Sequence, residues 1–219
     1  MTASPAPGGA RLRDGHAELT VLARSRWPAP PRTELPRTEL PPTQLPGIPG
    51  FIISSFSPLA AELAQRCLRQ CFGDPPADAE RGGRTAIVLA STTGDIATAA
   101  AIASAVDQGR AVPPLLFYQS NPNAVAGHIA ARWGLAGPVV CTIPAGAGPS
   151  ALADAMDSAA LLIEGAEAEA ALVVLADQGG PDGDRGVAVL VGPAAWLQQT
   201  APEGEAAAVR DIGSMSGTP

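Results

Sequence analysis

Short apolar runs alternate along this chain with segments whose apolar residues recur at helical spacing. Four of the runs contain almost no polar residue, which is typical of strands that are buried on both faces. They are TAIVLAS at 85–91, VVCTIP at 139–144, ALVVLA at 171–176 and GVAVLV at 186–191. A further strand is predicted within 17–27, where Leu19, Val21 and Ala23 occupy alternate positions.

Helices are predicted between these strands. Ser57-Pro58 supplies an N-cap followed by proline at the first helical position, and this predicts a helix to about Phe72. Three more helices are predicted: at 95–108, from Asn121 through AVAGHIAARWG, and at 150–165. The stretch LLFY at 115–118 is apolar but has no predicted element. The resulting order is β-α-β-α-β-α-β-β, and the short GGPDGD turn favours an antiparallel last pair. We therefore predict an α/β domain layered around one mixed sheet.

A proline-rich near-repeat divides the chain. Residues 31–46 read PRTEL-PRTEL-PPTQL-P, and each proline removes a backbone donor and restricts the residue before it. This pattern predicts an extended linker, which we favour over a ligand for a proline-binding domain. The predicted organisation is an N-terminal strand plus linker at 1–50, a domain at 51–195 and a flexible tail at 196–219.

Composition excludes several classes of protein. The 219 residues are 46% hydrophobic and 16% charged, which suits one domain, and no apolar run is long enough to cross a membrane. The N-terminus has proline and glycine where a secretory signal is apolar, so we expect a cytoplasmic protein with no membrane partner. The net charge is −7 and all 14 basic residues are arginine, with no basic stripe for nucleic acid.

Cys67 and Cys71, at i and i+4, are predicted core thiols rather than half of a metal site.

Two glycine-containing turns leave an alternative function open. STTGDIAT at 91–98 is similar to a flavodoxin-type phosphate loop, although Asp95 capping the next helix is the ordinary interpretation. The turn at 146–151 has the form G-x-G-x-x-A between a strand and a helix. Its candidate ribose ligand, Asp177, lies about thirty residues on instead of ~20. A nucleotide- or flavin-binding α/β protein that uses the 91–95 or the 146–151 turn is therefore the alternative.

The most specific motif is FYQSNPNAVAGHIA at 117–130, followed by WGL and AGP. It resembles the segment F-P-x-S-x-P-N-x-x-A-G-H-I-A and the following G-L-x-G-P of β-ketoacyl synthases. RTAIVLASTTGD and IEGAEAEAALVVLAD also resemble segments of that family, so the resemblance runs from about 51 to 192. It implies the first half of a thiolase-like fold, in a short, divergent form similar to a β-ketoacyl-synthase-like N-terminal domain.

Departures from the family pattern remove the expected catalytic groups. The resemblance places the nucleophilic cysteine eight residues after Gly-Pro, and in this chain that position is Gly146. Cys141 lies about five positions too early and is predicted to pack in the core. His128 matches a structural histidine of the family, and the two catalytic histidines belong to a second half that this sequence lacks. We predict no catalytic residue, no cofactor and no metal, and no acyltransferase activity of the chain by itself.

The role that the resemblance implies is structural. We expect a non-catalytic subunit that pairs with a catalytic ketosynthase in polyketide or fatty-acid-type biosynthesis, as chain-length-factor-like subunits do. A homodimer fits equally, an acyl carrier protein is a further candidate partner, and a decayed fragment is the rival interpretation. The candidate interface residues are Phe117, Gln119, Asn121, Asn123, Val125, Ile129 and Cys141.

Overall fold

The structure is a computed structural model that describes residues 19–28, 44–180 and 183–198. Most of the proline-rich segment and the tail after 198 lie outside the described residues. The five strands are β1 (Thr20–Trp27), β2 (Thr85–Ala90), β3 (Val139–Thr142), β4 (Ala170–Gly180) and β5 (Gly183–Gly192). The helices are α1 (Phe56–Phe72), α2 (Ala79–Gly83), α3 (Ile96–Asp107), α4 (Pro114–Gln119), α5 (Pro122–Trp133), α6 (Pro149–Glu164) and α7 (Ala195–Gln198). Within the described ranges, every helix is too short or too polar to span a bilayer.

All five strands form one mixed sheet in the order β1-β5-β4-β2-β3. β2 runs parallel to both β3 and β4, whereas β5 is antiparallel to β4 and to β1. The predicted strands and the antiparallel last pair are therefore confirmed, and so is the α/β class. β1 and β3 are the two edges of the sheet, and β3 is the shorter of them.

Helices cover both faces of the sheet and create two cores. On one face α1 and α5 bury a large cluster that includes Leu63, Trp133 and Leu172. On the other face α6 packs across β2 and β4, mostly through small residues such as Ala155 and Ala159. Because alternate residues of a strand point to opposite faces, the central strands supply both clusters and carry almost no polar residue.

Gly137 allows β3 to begin beside β2. A Cβ atom at this position would lie 2.6 Å from the backbone carbon and oxygen of Thr85, closer than any side chain tolerates. The Gly137 N–H donates to the Thr85 carbonyl, and the Ile87 N–H donates to the Pro138 carbonyl at 2.8 Å. The Gly-Pro pair thus fixes the register of β3 against β2 before the strand begins.

Some local predictions need correction. α1 begins at Phe56 with Ser55 at the N-cap, two residues before the predicted Ser57, and LLFY forms the short helix α4 behind Pro113-Pro114. Val125 and Ile129 are fully buried between α5 and the sheet, so they lie inside the core of this chain and not at an interface. Gln119 is also buried, with 2% of its surface exposed. The division into 1–50, 51–195 and 196–219 remains a prediction, although β1 lies in the same sheet as the other strands.

Candidate functional site

The turn between β3 and α6 is the place where the sequence predicted a missing nucleophile. Gly148 precedes α6 with φ 60° and ψ −125°, a conformation that side chains rarely adopt, and Pro149 follows at the first helical position. The Ala145 N–H donates to the Asp154 carboxylate at 3.0 Å, and the Ser150 hydroxyl donates to the Ala147 carbonyl at 3.1 Å. The strand, strained turn and helix have the geometry in which hydrolase-type folds present a nucleophile.

Two glycines of this turn differ in the space around them. A Cβ atom at Gly146 would collide with the Ser150 side chain, whereas one at Gly148 would meet nothing within 4 Å. Counting eight residues from Pro138, as the family resemblance implies, places the nucleophile at Gly146. The unusual backbone angles of Gly148 and the free space where its Cβ would lie favour Gly148 as the nucleophile position instead. At either position the residue is glycine, so this turn has no side chain that could form a thioester.

A cavity of about 370 Å³ opens beside Gly148. Asp177 lines it together with Pro149 and Leu152, so the structure does bring Asp177 close to the 146–151 turn. However, the Asp177 carboxylate is already engaged by another loop, since its Oδ1 accepts the Thr92 N–H at 2.7 Å and the Thr92 hydroxyl at 2.8 Å. Asp177 Oδ1 therefore holds the 91–94 loop, which is a structural role for this carboxylate.

Several donors of the 91–98 loop are bonded within the chain. The Gly94 N–H donates to the Ser91 hydroxyl at 2.9 Å, and the Thr98 N–H donates to Asp95 Oδ1 at 2.9 Å. Asp95 therefore caps α3, as the ordinary interpretation of the motif predicts. Both carboxylates thus serve within the chain: Asp177 holds the 91–94 loop and Asp95 holds the start of α3.

Replacing Asp177 by alanine should loosen the 91–94 loop. The substitution removes the acceptor of the Thr92 N–H, the Thr92 hydroxyl and the Ser91 hydroxyl, and the expected loss of stability is about 1–3 kcal/mol. Urea unfolding measures the loss, and hydrogen exchange of the Thr92 amide should become faster. Asp184→Ala, which removes a half-buried carboxylate that accepts from the Gly179 N–H, is the control. Unchanged exchange at Thr92 would contradict this assignment.

Cys141 is half-buried on β3, and its environment favours the thiol. Burial raises the pKa of the Cys141 thiol, and its Sγ donates to Asn123 Oδ1 at 3.0 Å. A thiol that donates a hydrogen bond and resists ionisation is a poor nucleophile. Cys67 and Cys71 are buried in the α1 core as predicted, and burial raises the pKa of Cys67 to about 12.

His128 lies on α5 away from the turn. Burial and the neighbouring Arg132 charge lower its pKa, and its ring packs edge-on against Phe51 at 5.9 Å between centroids. This packing supports the structural role that the sequence motif implied for His128.

No strand of the described residues pairs with the outer edge of β3. The carbonyls of Pro138 and Thr142 face β2, where they accept from Ile87 and Ser91. Because consecutive residues of a strand direct their backbone groups to opposite sides, the N–H and C=O of Val139 and Cys141 face away from β2. Such an edge can pair with a strand of another chain.

The stretches of sequence that form this edge and its neighbours contain no charged residue. No Asp, Glu, Lys or Arg occurs in 45–61, 96–106, 111–131 or 133–153, although the whole chain has 35 such residues. Exposed apolar side chains occur in all of these stretches. We define the β3 surface as Phe117, Asn121, Asn123, Val139, Cys141 and Ile143; Phe117 is 64% and Ile143 is 82% exposed. Absence of charge together with exposed apolar side chains is typical of interface cores.

The predicted interface residues are thus brought together only in part. Phe117, Asn121 and Asn123 are exposed, Cys141 is half-buried beside Asn123, and Gln119, Val125 and Ile129 are internal. Val125, Ile129 and Trp133 recur at i, i+4 and i+8, and this spacing predicts one buried face of a helix. The interface prediction for Val125 and Ile129 follows the family resemblance instead of this spacing. No local pattern predicts the role of Gln119, because its partner Ile52 is 67 residues away.

The mixed α/β fold with its single five-stranded sheet matches the thiolase-like fold of ketosynthases. Residues 27–184 match the family described as β-ketoacyl synthase, N-terminal domain, and this match covers well over half of the chain. The chain therefore belongs to that family. The match includes both glycine-containing turns. No match was found among curated proteins.

Solved structures with the same fold include two ketosynthase and chain length factor assemblies. A ketosynthase in complex with its chain length factor from Xenorhabdus doucetiae has a TM-score of 0.55 and 19% identity, and the match covers 80% of this chain and 79% of that chain. The ishigamide ketosynthase/chain length factor has a TM-score of 0.56, 20% identity and coverages of 75% and 50%.

A third relative is a β-ketoacyl synthase from Burkholderia phymatum, with a TM-score of 0.56, 15% identity and coverages of 73% and 48%. This chain therefore spans about half the length of the second and third structures, but the matched chain of the first is similar to it in length.

Proposed function

We propose that this chain is a non-catalytic ketosynthase-like subunit that pairs with a catalytic ketosynthase through the β3 surface. Its role would be similar to that of a chain length factor in polyketide or fatty-acid-type biosynthesis. An acyl carrier protein is a further proposed partner, and we place the complex in the cytoplasm. Two structures with the same fold contain a ketosynthase and a chain length factor, and this similarity supports the choice of partner.

One observation carries the non-catalytic assignment. The turn before α6 has glycine at both positions where a nucleophile could stand, and Gly148 is flanked by Ala147 and Pro149. Cys141, on the adjacent strand, is held as a thiol by burial and by Asn123. A condensing reaction needs a thiolate to accept the acyl group, so the chemistry would have to come from the partner subunit.

The pairing assignment rests on the edge of the sheet. β3 contributes four residues, no strand of the described residues pairs with its outer backbone groups, and uncharged stretches surround it. A strand of the partner placed alongside would satisfy those groups, while Phe117 and Ile143 would lose exposure to water.

The direct test is co-expression of this chain with the full-length ketosynthase encoded nearest to its gene, followed by affinity purification and light scattering. We expect a stable one-to-one complex. A homodimer that excludes the ketosynthase would overturn the choice of partner, and a monomer in every combination would overturn the pairing itself.

Incubation with acyl carrier protein thioesters should leave the isolated chain unmodified. The expected intact mass equals that of the untreated chain, because Gly146 and Gly148 carry no side chain and burial raises the pKa of the Cys141 thiol. The complex with the ketosynthase should gain one acyl group, on the partner only. The Cys141→Ala variant is the control, and an adduct that is lost in this variant would mean that Cys141 is a nucleophile.

A further inference from the structure

Ile53 adopts a backbone conformation that is unfavourable for its residue type. Its φ is 74°, and the Ser54 N–H donates to the Ile52 carbonyl at 2.9 Å, which closes a three-residue γ-turn with Ile53 at its centre. Positive φ is a genuine outlier for a β-branched side chain. The Ile53 side chain is nevertheless 64% exposed, so burial of its own side chain does not compensate for the strain.

A buried glutamine imposes this turn. Gln119 Oε1 accepts the Ile52 N–H at 2.8 Å, and its Nε2 donates to the Ile52 carbonyl at 2.5 Å and to Thr98 Oγ1 at 2.7 Å. Gln119 thus uses its whole amide to connect the turn with α3 and α4.

A second polar network fixes the end of the turn. The Ser54 hydroxyl donates to Asp95 Oδ1 at 2.5 Å, and Gln178 Nε2 donates to the Ser54 hydroxyl at 3.1 Å. The segment is therefore attached to α3 and to β4 as well as to α4. Such extensive anchoring of a strained, exposed isoleucine indicates that its position is needed for a task other than packing in this chain.

Exposed apolar side chains lie beside the turn and on the two helices to which Gln119 connects it. Ile52 is exposed beside Ile53, and Ile96 is exposed at the start of α3, next to the Thr98 turn that Gln119 contacts. Phe117 lies on α4 with Gln119 and belongs to the β3 surface. α3 itself buries only Thr98 and Ala105, although 96–106 is uncharged, so most of its apolar surface is uncovered.

We propose that Ile53 is an anchor residue of the interface with the ketosynthase subunit, held ready for binding by Gln119. This inference rests on the proposed function and adds a second contact region, made of Ile52, Ile53 and Ile96, to the β3 surface. We expect the partner to present an apolar pocket here, because Ile52, Ile53 and Ile96 are exposed and 45–61 and 96–106 contain no charged residue. A rigid, exposed apolar side chain inserted into such a pocket is the usual form of an interface hot spot.

Binding of variants to the ketosynthase tests the proposal. Ile53→Gly removes the side chain and relieves the strain, so the isolated chain should melt at the same or a higher temperature while its affinity falls roughly tenfold or more. Ile53→Val keeps a β-branched apolar group and should retain most of the affinity. Val21→Thr, an exposed position on the opposite edge of the sheet, is the control and should bind as the wild type does.

The results separate this inference from the function on which it depends. If Ile53→Gly binds within about twofold of wild type while Phe117→Ser loses binding, the anchor is overturned and the pairing stands. If Ile53→Gly lowers the melting temperature in proportion to its loss of affinity, Ile53 has a structural role and the anchor is also overturned. If the wild-type chain binds no ketosynthase, both proposals fail.

Discussion

A Cys141→Pro variant should fold but fail to associate with the ketosynthase. The Cys141 N–H faces away from β2, so proline removes an outward donor without breaking the β2 ladder, as prolines at sheet edges do. Pairing of β3 with a partner strand would lose that hydrogen bond and meet the proline ring. We expect a loss of affinity of roughly a hundredfold or more, measured by pull-down and by light scattering.

The matched control separates the backbone from the thiol. Cys141→Ala also removes the Sγ–Asn123 hydrogen bond but keeps the N–H, so it should associate almost normally. Circular dichroism must show both variants folded. Equal binding by the proline and alanine variants would mean that β3 is not the strand that joins the subunits.

The second large effect concerns stability. Trp133 is 1% exposed at the end of α5, in the centre of the α1 and α5 core, and its carbonyl accepts the Ala77 N–H at 2.9 Å. Trp133→Ala should lower the free energy of unfolding by about 3–5 kcal/mol, through lost burial and the cavity left behind. That is a large part of the roughly 5–15 kcal/mol that stabilises a typical domain.

Urea unfolding followed by circular dichroism measures this loss. Leu161→Ala is the control, because Leu161 is 66% exposed on α6 and its truncation should change stability by less than about 0.5 kcal/mol. A Trp133 variant as stable as the control would mean that α5 does not close the core.

The sheet could be predicted from the sequence because its central strands are buried on both faces. A run such as ALVVLA has few alternatives to a buried strand, and the GGPDGD turn allows only a close antiparallel connection. Proline and the Asn121 cap likewise fixed the start of α5. The family motif then identified the fold, since FYQSNPNAVAGHIA spans α4 and α5.

The interface was predicted less well, for reasons that are also physical. The motif marked 117–130 as one unit, but a helix that packs on a sheet buries one side and exposes the other, so Val125 and Ile129 separate from Asn121 and Asn123. The γ-turn at Ile53 depends on Gln119, which is distant in sequence, and no local pattern predicts a strained isoleucine. The residues of LLFY favour a strand by their intrinsic propensity. They form the short helix α4 instead, because the preceding Pro113-Pro114 is well suited to begin a helix.

The pairing of β1 with β5 has a consequence for synthesis of the chain. Thr20 lies opposite Gly192, so the earliest strand of the sheet cannot pair until its last strand has left the ribosome. At typical elongation rates this interval is roughly 10 to 30 s. During that time TVLARSRW is an unpaired apolar strand, and its exposed Arg24 and Arg26 place charges within it. These two arginines should act as gatekeepers that discourage nascent chains from aggregating before the sheet closes.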